Sequence, residues 1–514
     1  MTPHPSPSRP SRLEWAGLIV ILAVGGWLRF RQLGDVPFGS DAAHMLQMAD
    51  RLRAGEAILT GIPSSKGVLN PPLAIYLLFL LRLVIRTPLG LAAATAALNL
   101  AAVGGTWLLA RRWFGPRVAI TAAALFAVSG WAVFYSREIW QQDFIPPIGV
   151  LALAGTLFWT VERRAWGLGV AIAAAGACSQ LHLTGFAWFG VLGLCWIALR
   201  PPVRVASLVA GLAACVVMYA PFAVALATIG IGGKKHGAQA LFVEMFAAPV
   251  RHALGSVTHG GITFDLPALH AALGGSILHP LFDAVPWIGA ALAIAGVLAC
   301  LPPRAAVVRT TDFARFRLDA DPARTTLFLW AVAPVAVMVV TGLSTAPHYV
   351  ILLFPAMWIL AAIGADVIGD RIGAPAIAVA LPTIVFEILF VLAMQRWIAQ
   401  DFVRTGGYGP GLRFQEMAIR AIVEDARGDA VTLASAPDPD VPGAPGVTDN
   451  YRWLLREEEL RTRHRSISDA ETGAKKRTFV LLDLGAGQLS KEAQAAIEAH
   501  RARRFGPLWV CEWE

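Results

Sequence analysis

Charge is what this sequence lacks most. Asp, Glu, Lys and Arg make up only 15% of its 514 residues, against about a quarter in a soluble globular chain, too few to clothe one core in water. Cysteine is also scarce: Cys178, Cys195, Cys215, Cys300 and Cys511 form no CxxC or other metal-ligand spacing, and four of them lie in apolar runs. That argues against a disulfide framework and leaves packing as their role. What fills the chain is apolar, 56% hydrophobic residues with a mean hydropathy of +0.58. It recurs in runs of about 20 residues, which reads as a polytopic membrane protein. The net charge of +8 is then explained by basic cytoplasmic loops, and no nucleic-acid partner is expected.

Residues 1–12 are rich in Pro and Ser and read as a disordered cytoplasmic N-terminus. The first apolar run, Trp15–Leu28, follows Arg9 and Arg12 and has no small-residue cleavage site, so it reads as a retained signal-anchor. Hydropathy offers about twelve runs, beginning near Trp15, Pro71, Leu89, Val118, Phe144, Trp166, Ala187, Val203, Val285, Thr325, Tyr349 and Ala374. Basic connectors occur around Arg111–Arg117, Arg163–Arg164, Arg200–Arg204 and Arg304–Arg324; the connectors between them are polar but less basic. The positive-inside rule is obeyed throughout only if Pro71–Ile85 does not cross. That run is short, opens on two prolines and is interrupted by Arg82, as suits a helix in the interface. The expected architecture is about eleven transmembrane helices over 13–396, with interfacial helices in the first outer loop (34–87) and the long outer loop (230–284). An extracytoplasmic α/β domain follows over 397–514. There Gly411–Asp425 reads as an amphipathic helix, and Ala430–Ala434, Thr478–Leu484 and Leu508–Trp513 as strands. Leu489–Arg503 reads as a further helix, and no Gly-rich loop follows a strand to cradle a nucleotide.

The candidate chemistry sits at the outer ends of the spans. Asp41 follows the first span in Ser40-Asp41-Ala42-Ala43-His44, where it either caps a short helix or acts as a base; one residue can do both. Ser65, Lys66 and Asn70 lie in a polar stretch suited to an anionic headgroup, or to an ordinary solvated loop. Arg137, Glu138 and Asp143 crowd Tyr135–Asp143, as a structural charge pair or as a site, and Asp143 runs into a Pro146-Pro147 helix start. Gln180 and His182 end one apolar run, and His348 with Tyr349 begins another, as interfacial anchors or as site residues. In the long outer loop Lys234 and Lys235 suit phosphate or lipid headgroups, and Leu241, Phe242, Met245 and Phe246 have the spacing of an interfacial helix. Its histidines, His236, His252, His259, His270 and His279, lack a compact ligand spacing, so a divalent metal is neither indicated nor excluded and no cofactor is assigned.

The order of these pieces resembles the GT-C superfamily of polyprenyl-phosphate-sugar glycosyltransferases, in particular the family 39-like group of protein O-mannosyltransferases and aminoarabinose transferases. The residues that carry the resemblance are the aspartate loop, Pro71-Pro72-Leu73-x-x-Tyr76, the ARRWFGPR connector, Ser136-Arg137-Glu138-Ile139-Trp140-x-x-Asp143, Gln180-Leu181-His182 and His348–Pro355, over roughly 15–360. It implies a sugar donor linked to polyprenyl phosphate, a lipid, glycan or protein acceptor, membrane lipids as surroundings, and a bacterial inner-membrane location with the site outside. It places a first-loop acid on Asp41 and a second on Asp143. The chain departs where relatives often carry Asp-Glu (here Asp41-Ala42), a basic residue before Pro-Pro (here Asn70) and Arg before the later Tyr (here His348). On chemical grounds such a transfer needs a base for the acceptor proton, Asp41, and cations for the leaving phosphate, Lys66, Arg137 and His348; one base opposite the departing phosphate favours inversion. The competing reading is a transporter or flippase for a lipid-linked or anionic substrate, but no inverted repeat is evident.

Overall fold

In the computed structural model the described residues are 9–63, 69–229, 242–259, 279–302, 320–341, 347–401, 410–426, 429–435, 449–463, 476–483, 497–498 and 501–513. Ser65, Lys66, Lys234, Lys235, His236 and His270 fall outside them.

The first helix, α1 (Arg12–Phe30), opens on a reciprocal cap: Ser11 Oγ accepts from the Glu14 amide, and the Glu14 carboxylate accepts from the Ser11 amide. Two amphipathic helices follow, α2 (Ser40–Arg53) and α3 (Leu73–Arg82). Then come α4 (Pro88–Phe114), α5 (Pro116–Val128), α6 (Gly130–Tyr135), α7 (Ile145–Thr160), α8 (Trp166–Leu181) and α9 (Ala187–Leu199). The bundle is completed by α10 (Val205–Ile229), α11 (Phe242–Gly255), α12 (His279–Ala299), α13 (Pro322–Thr341), a 3-10 turn at Pro347–Leu353, α14 (Ala356–Ile372) and α15 (Ala376–Asp401).

Among the described residues six segments are long and apolar enough to cross a bilayer: α1, α4, Gln141–Thr160 including α7, α10, α13 and α15. The Pro347–Leu353 turn and α14, bent by 72°, form a seventh. The shorter apolar helices α5, α8, Leu183–Leu199 and Ala284–Ala299 fall below that length, and where the sequence reads about eleven spans the described residues hold six or seven of full length. Helix α3 has 10 residues and spans about 15 Å, half of a hydrocarbon core of about 30 Å. The prolines before it and Arg82 at its end are why that run stops short.

Two local devices shape the bundle. Gly296 of α12 and Gly364 of α14 let two helix backbones touch: a Cβ on Gly296 would lie 1.8 Å from the Leu360 carbonyl oxygen, and one on Gly364 2.0 Å from that of Leu292. Between α5 and α6 the chain breaks at Ser129, and the fully buried Arg29 of α1 meets the freed helix end. Its Nη1 donates to Ala127 O (2.6 Å) and its Nη2 to Phe126 O (3.3 Å).

After the bundle come α16 (Leu412–Ala426), β1 (Ala430–Ser435), α17 (Asp449–Arg463), β2 (Lys476–Asp483), β3 (Arg501–Phe505) and β4 (Leu508–Trp513). The sheet order is β1-β2-β4-β3, with β1 parallel to β2 and the other two pairs antiparallel. Leu433, Phe479, Leu481, Leu508 and Val510 form its buried side, covered by Ala418, Ile419 and Ile422 of α16. The helix expected to run through Arg503 is corrected here, because 501–505 is a strand. Gly506, at φ +60, turns Arg501–Phe505 back onto Leu508–Trp513 as a two-residue hairpin, and pairing with β4 overrides the helical spacing. Helix α17 was not anticipated. Its composition is charged, and it is held by Tyr451, Trp453, Leu454 and Leu455, which are buried.

This C-terminal unit is locked onto the first loop. Leu412 N donates to Val36 O (2.9 Å), and the Phe38 carbonyl accepts from both Gln415 Nε2 (3.1 Å) and Asn450 Nδ2 (3.0 Å). Trp453 packs on Phe38 with ring centroids 5.5 Å apart, Arg413 pairs with the buried Asp35 at 2.5 Å, and Asp449 pairs with His44 at 3.1 Å. Below them Arg82 bridges Asp50 (2.7 Å) and Glu457 (3.4 Å).

Candidate active site

Asp41 lies in the first turn of α2, where a negative charge suits the helix dipole. It does not cap the helix: Gly39 holds the N-cap position and no side chain bonds to it. Asp41 forms no hydrogen bond or ion pair with a described residue. Its side chain is exposed, yet desolvation by the surrounding protein raises its pKa, partly opposed by His44 one turn on. The raised pKa makes the ionised carboxylate a stronger base than an ordinary aspartate.

A second group of side chains converges from three connectors. The loop 136–143 leads from α6 to a 3-10 turn, Gln141–Phe144, that places Asp143 at the head of α7. Asp143 is 1% exposed, and neither carboxylate oxygen has a hydrogen-bond partner of good geometry among the described residues. Its carbonyl accepts from Asn99 Nδ2 of α4 at 2.9 Å, which fixes the backbone and leaves the carboxylate uncommitted. Asp143 lines a recess with Asn99, Trp131, Tyr135 and Ser136. Two residues after Glu138, Trp140 meets His348 edge-on at 4.9 Å, and His348 contacts Tyr349 (4.7 Å) and His182 (5.8 Å). His182 also lies 4.9 Å from Tyr349. The structure thus brings Trp140, His182, His348 and Tyr349 into one aromatic cluster.

The His182 tautomer follows from its bonds. Its Nδ1 accepts from the Thr184 amide (3.3 Å), so the ring proton of the neutral form is on Nε2. Burial lowers its pKa to about 4, which keeps it neutral at physiological pH. Gln180 is fully buried, and neither amide atom finds a partner among the described residues. Such an orphan is costly unless something polar completes it.

Arg137 is 3% exposed, and its Nη2 donates to the carbonyls of Arg31 (2.7 Å) and Gln32 (2.6 Å) at the end of α1. Its charge is felt by Asp35, whose pKa burial raises and Arg413 and Arg137 lower, and by Glu138, which burial pushes up to about 8 against Arg137. Asn70 is committed to the loop itself: its Nδ2 donates to Ile62 O (2.9 Å), and its carbonyl accepts from Gly61 N (2.7 Å). Among the described residues no three of His, Cys, Asp and Glu gather into a metal-ligand set.

The sequence reading missed three groups. Asp35 and Asp449 lie on either side of the first-loop contact, and both are ordinary polar residues in sequence. Glu387, buried near the middle of α15, did carry a legible signal as a carboxylate inside a long apolar run.

No protein-family model and no curated protein matches the chain. Among solved structures it is similar to ArnT from Cupriavidus metallidurans bound to undecaprenyl phosphate, at 14% identity and a TM-score of 0.55 over 98% of each chain. It is similar also to the apo state of ArnT from that organism, at 15% identity and a TM-score of 0.52 over 97% of each. At that identity the likeness is one of architecture, and it runs through bundle and C-terminal unit alike: this chain shares the fold of those structures.

Proposed function

We propose that the protein is a glycosyltransferase that moves a sugar from a polyprenyl-phosphate donor to an acceptor on the extracytoplasmic side of a bacterial inner membrane. The observation that carries this reading is an uncommitted, crowded carboxylate, Asp41, on a fold shared with a protein whose solved structure holds undecaprenyl phosphate. The acceptor hydroxyl or amine attacks the anomeric carbon while Asp41 takes its proton. The bond from that carbon to the phosphate oxygen breaks, and the polyprenyl phosphate leaves with the electron pair. Attack opposite the leaving phosphate inverts the anomeric centre. Arg137, His348 and Lys66 are assigned to the phosphate, His182 and Tyr349 to its surroundings, and Asp143 and Gln180 to the sugar, whose hydroxyls would satisfy their unpartnered atoms. Asn70, whose amide bonds to Ile62 O, and Ser65 are assigned to the substrate beside Lys66.

The test is sugar transfer or release by the purified protein. Asp41→Asn should lower kcat by about 10²–10⁴-fold, the usual worth of a general base, while retaining donor binding. Full activity in a folded Asp41→Asn protein overturns the assignment. For orientation, a reporter fused after Arg112 should read cytoplasm and one after Gly406 the outside; the reverse at Arg112 would restore Pro71–Ile85 as a span.

A further inference from the structure

Helix α11 does not end at the surface. Ser256–His259 continues from it into the bundle, with Val257 1% and Thr258 0% exposed. The Val257 carbonyl accepts from Trp358 Nε1 of α14 at 3.3 Å. Gly289 of α12 makes room for Thr258, since a Cβ there would lie 2.5 Å from Thr258 Cγ2. At the tip, the His259 ring stacks on Phe390 of α15 at 4.0 Å and 19°. Its Nδ1 lies 2.6 Å from Glu387 Oε1, with the two side chains 2% and 1% exposed. The other carboxylate oxygen, Oε2, accepts from the Gly130 amide at 2.7 Å, at the break between α5 and α6. A Cβ on Gly130 would come within 3.0 Å of both Phe390 and His259, so the backbone there must be bare.

A carboxylate near the middle of a spanning helix is strongly disfavoured unless every acceptor site is met. Here one oxygen is met by the chain that enters from the long loop and the other by the only kind of backbone donor a helix break supplies. The same segment, through α11, packs against the Pro347–Leu353 turn that carries His348 and Tyr349. We propose that Glu387, acting through His259, is a positioning residue that seats the segment 242–259 against His348 and Tyr349, so that this wall of the site is held from inside the membrane. The consequence for the donor rests on the glycosyltransferase reading: a loosened wall weakens capture of the lipid phosphate.

The experiment uses the full-length protein in nanodiscs, with spin labels at the exposed positions 251 and 80 in a cysteine-free background. Wild type and Glu387→Gln, which retains an acceptor for Gly130 and a polar partner for His259, should give one narrow label distance. Glu387→Leu and, as a second variant that keeps the aromatic stack, His259→Phe should broaden it. In transfer assays with a polyprenyl-phosphate sugar these two should raise the donor KM about tenfold, while Glu387→Gln retains the wild-type KM. A narrow, unshifted distance in folded Glu387→Leu and His259→Phe overturns the proposal, as does an unchanged KM beside a broadened distance. A wild-type protein that transfers no sugar counts against the glycosyltransferase reading, and the label distances, which need no substrate, still decide whether Glu387 seats the segment.

Discussion

Replacing Arg82 by Ala should release the C-terminal unit from the first loop without unfolding the bundle. Arg82 is 6% exposed, and both Nε (2.8 Å) and Nη2 (2.7 Å) engage Asp50 Oδ1, while Nη2 also reaches Glu457 of α17 at 3.4 Å. Its guanidinium lies 5.4 Å from the centroid of Trp453, whose Nε1 donates to Asp50 Oδ2 (3.4 Å). Breaking a fully buried pair by removing one partner costs about 3–5 kcal/mol. Asp50 and Glu457 are 22% and 19% exposed, so water recovers part of that loss. An effect of about 2 kcal/mol from the ion pairs and about 1 kcal/mol from the ring contact is the reasonable sum. At 1.4 kcal/mol per decade, about 3 kcal/mol makes local opening roughly 100-fold more frequent. Hydrogen exchange followed by mass spectrometry should show amides of α2 and α17 exchanging faster by about that factor, with α8 unchanged. Arg82→Lys, which keeps the charge but loses the flat fork, should fall between. Unchanged exchange in α17 of a folded Arg82→Ala protein would refute the reasoning.

Three further outcomes follow from the same geometry. On the proposed reading Asp41 acts as a base only when ionised, and its pKa is raised, so the acid limb of kcat/KM should lie above the range of an ordinary aspartate; His44→Ala, which removes the side chain that opposes that rise, should move the limb further up, and an unmoved limb would detach His44 from the site. Glu138 has a folded pKa of about 8, above its unfolded value, so its contribution to stability is complete below the ordinary carboxylate range and fades as pH rises through about 8. Melting temperatures between pH 5 and 9 should therefore fall with pH, and Glu138→Gln should flatten the slope; an identical slope in the variant would refute this. Gly296→Ala, whose Cβ would sit 1.8 Å from Leu360 O, should force α12 and α14 apart and destabilise the bundle by at least about 1–3 kcal/mol, whereas an unchanged melting temperature would show that the helices can separate without loss.

The bundle was largely legible in the sequence because lipid imposes one rule on every span, and the basic connectors then decided which run to leave out. The brevity of α3 follows from Pro71, Pro72 and Arg82, all local signals. The contacts that set the site were not legible. Arg82 and Glu457 are 375 positions apart, and Asn450 meets the Phe38 carbonyl across 412, so nothing in the residues near either end announces the pair. Asp41 read equally well as a cap, and only the geometry at Gly39 removes that role. The strand at Arg501–Phe505 was misread because its pairing with β4 lies outside any helical window. His259 and Glu387 were each visible, one in a loop and one in a span, but the chain's dip into the bundle that joins them leaves no mark on local hydropathy.

The clasp between α17 and the first loop has a consequence for how the protein is made. Asp41 emerges about 400 residues ahead of Asn450, Trp453 and Glu457, which hold its loop. During insertion the loop waits with its Phe38 carbonyl unmet by Gln415 and Asn450 and Asp35 unmet by Arg413, and every span between must be placed before they find these partners. Competence then arrives late and all at once, so a chain halted before α17 would present a complete bundle with an unfinished outer face.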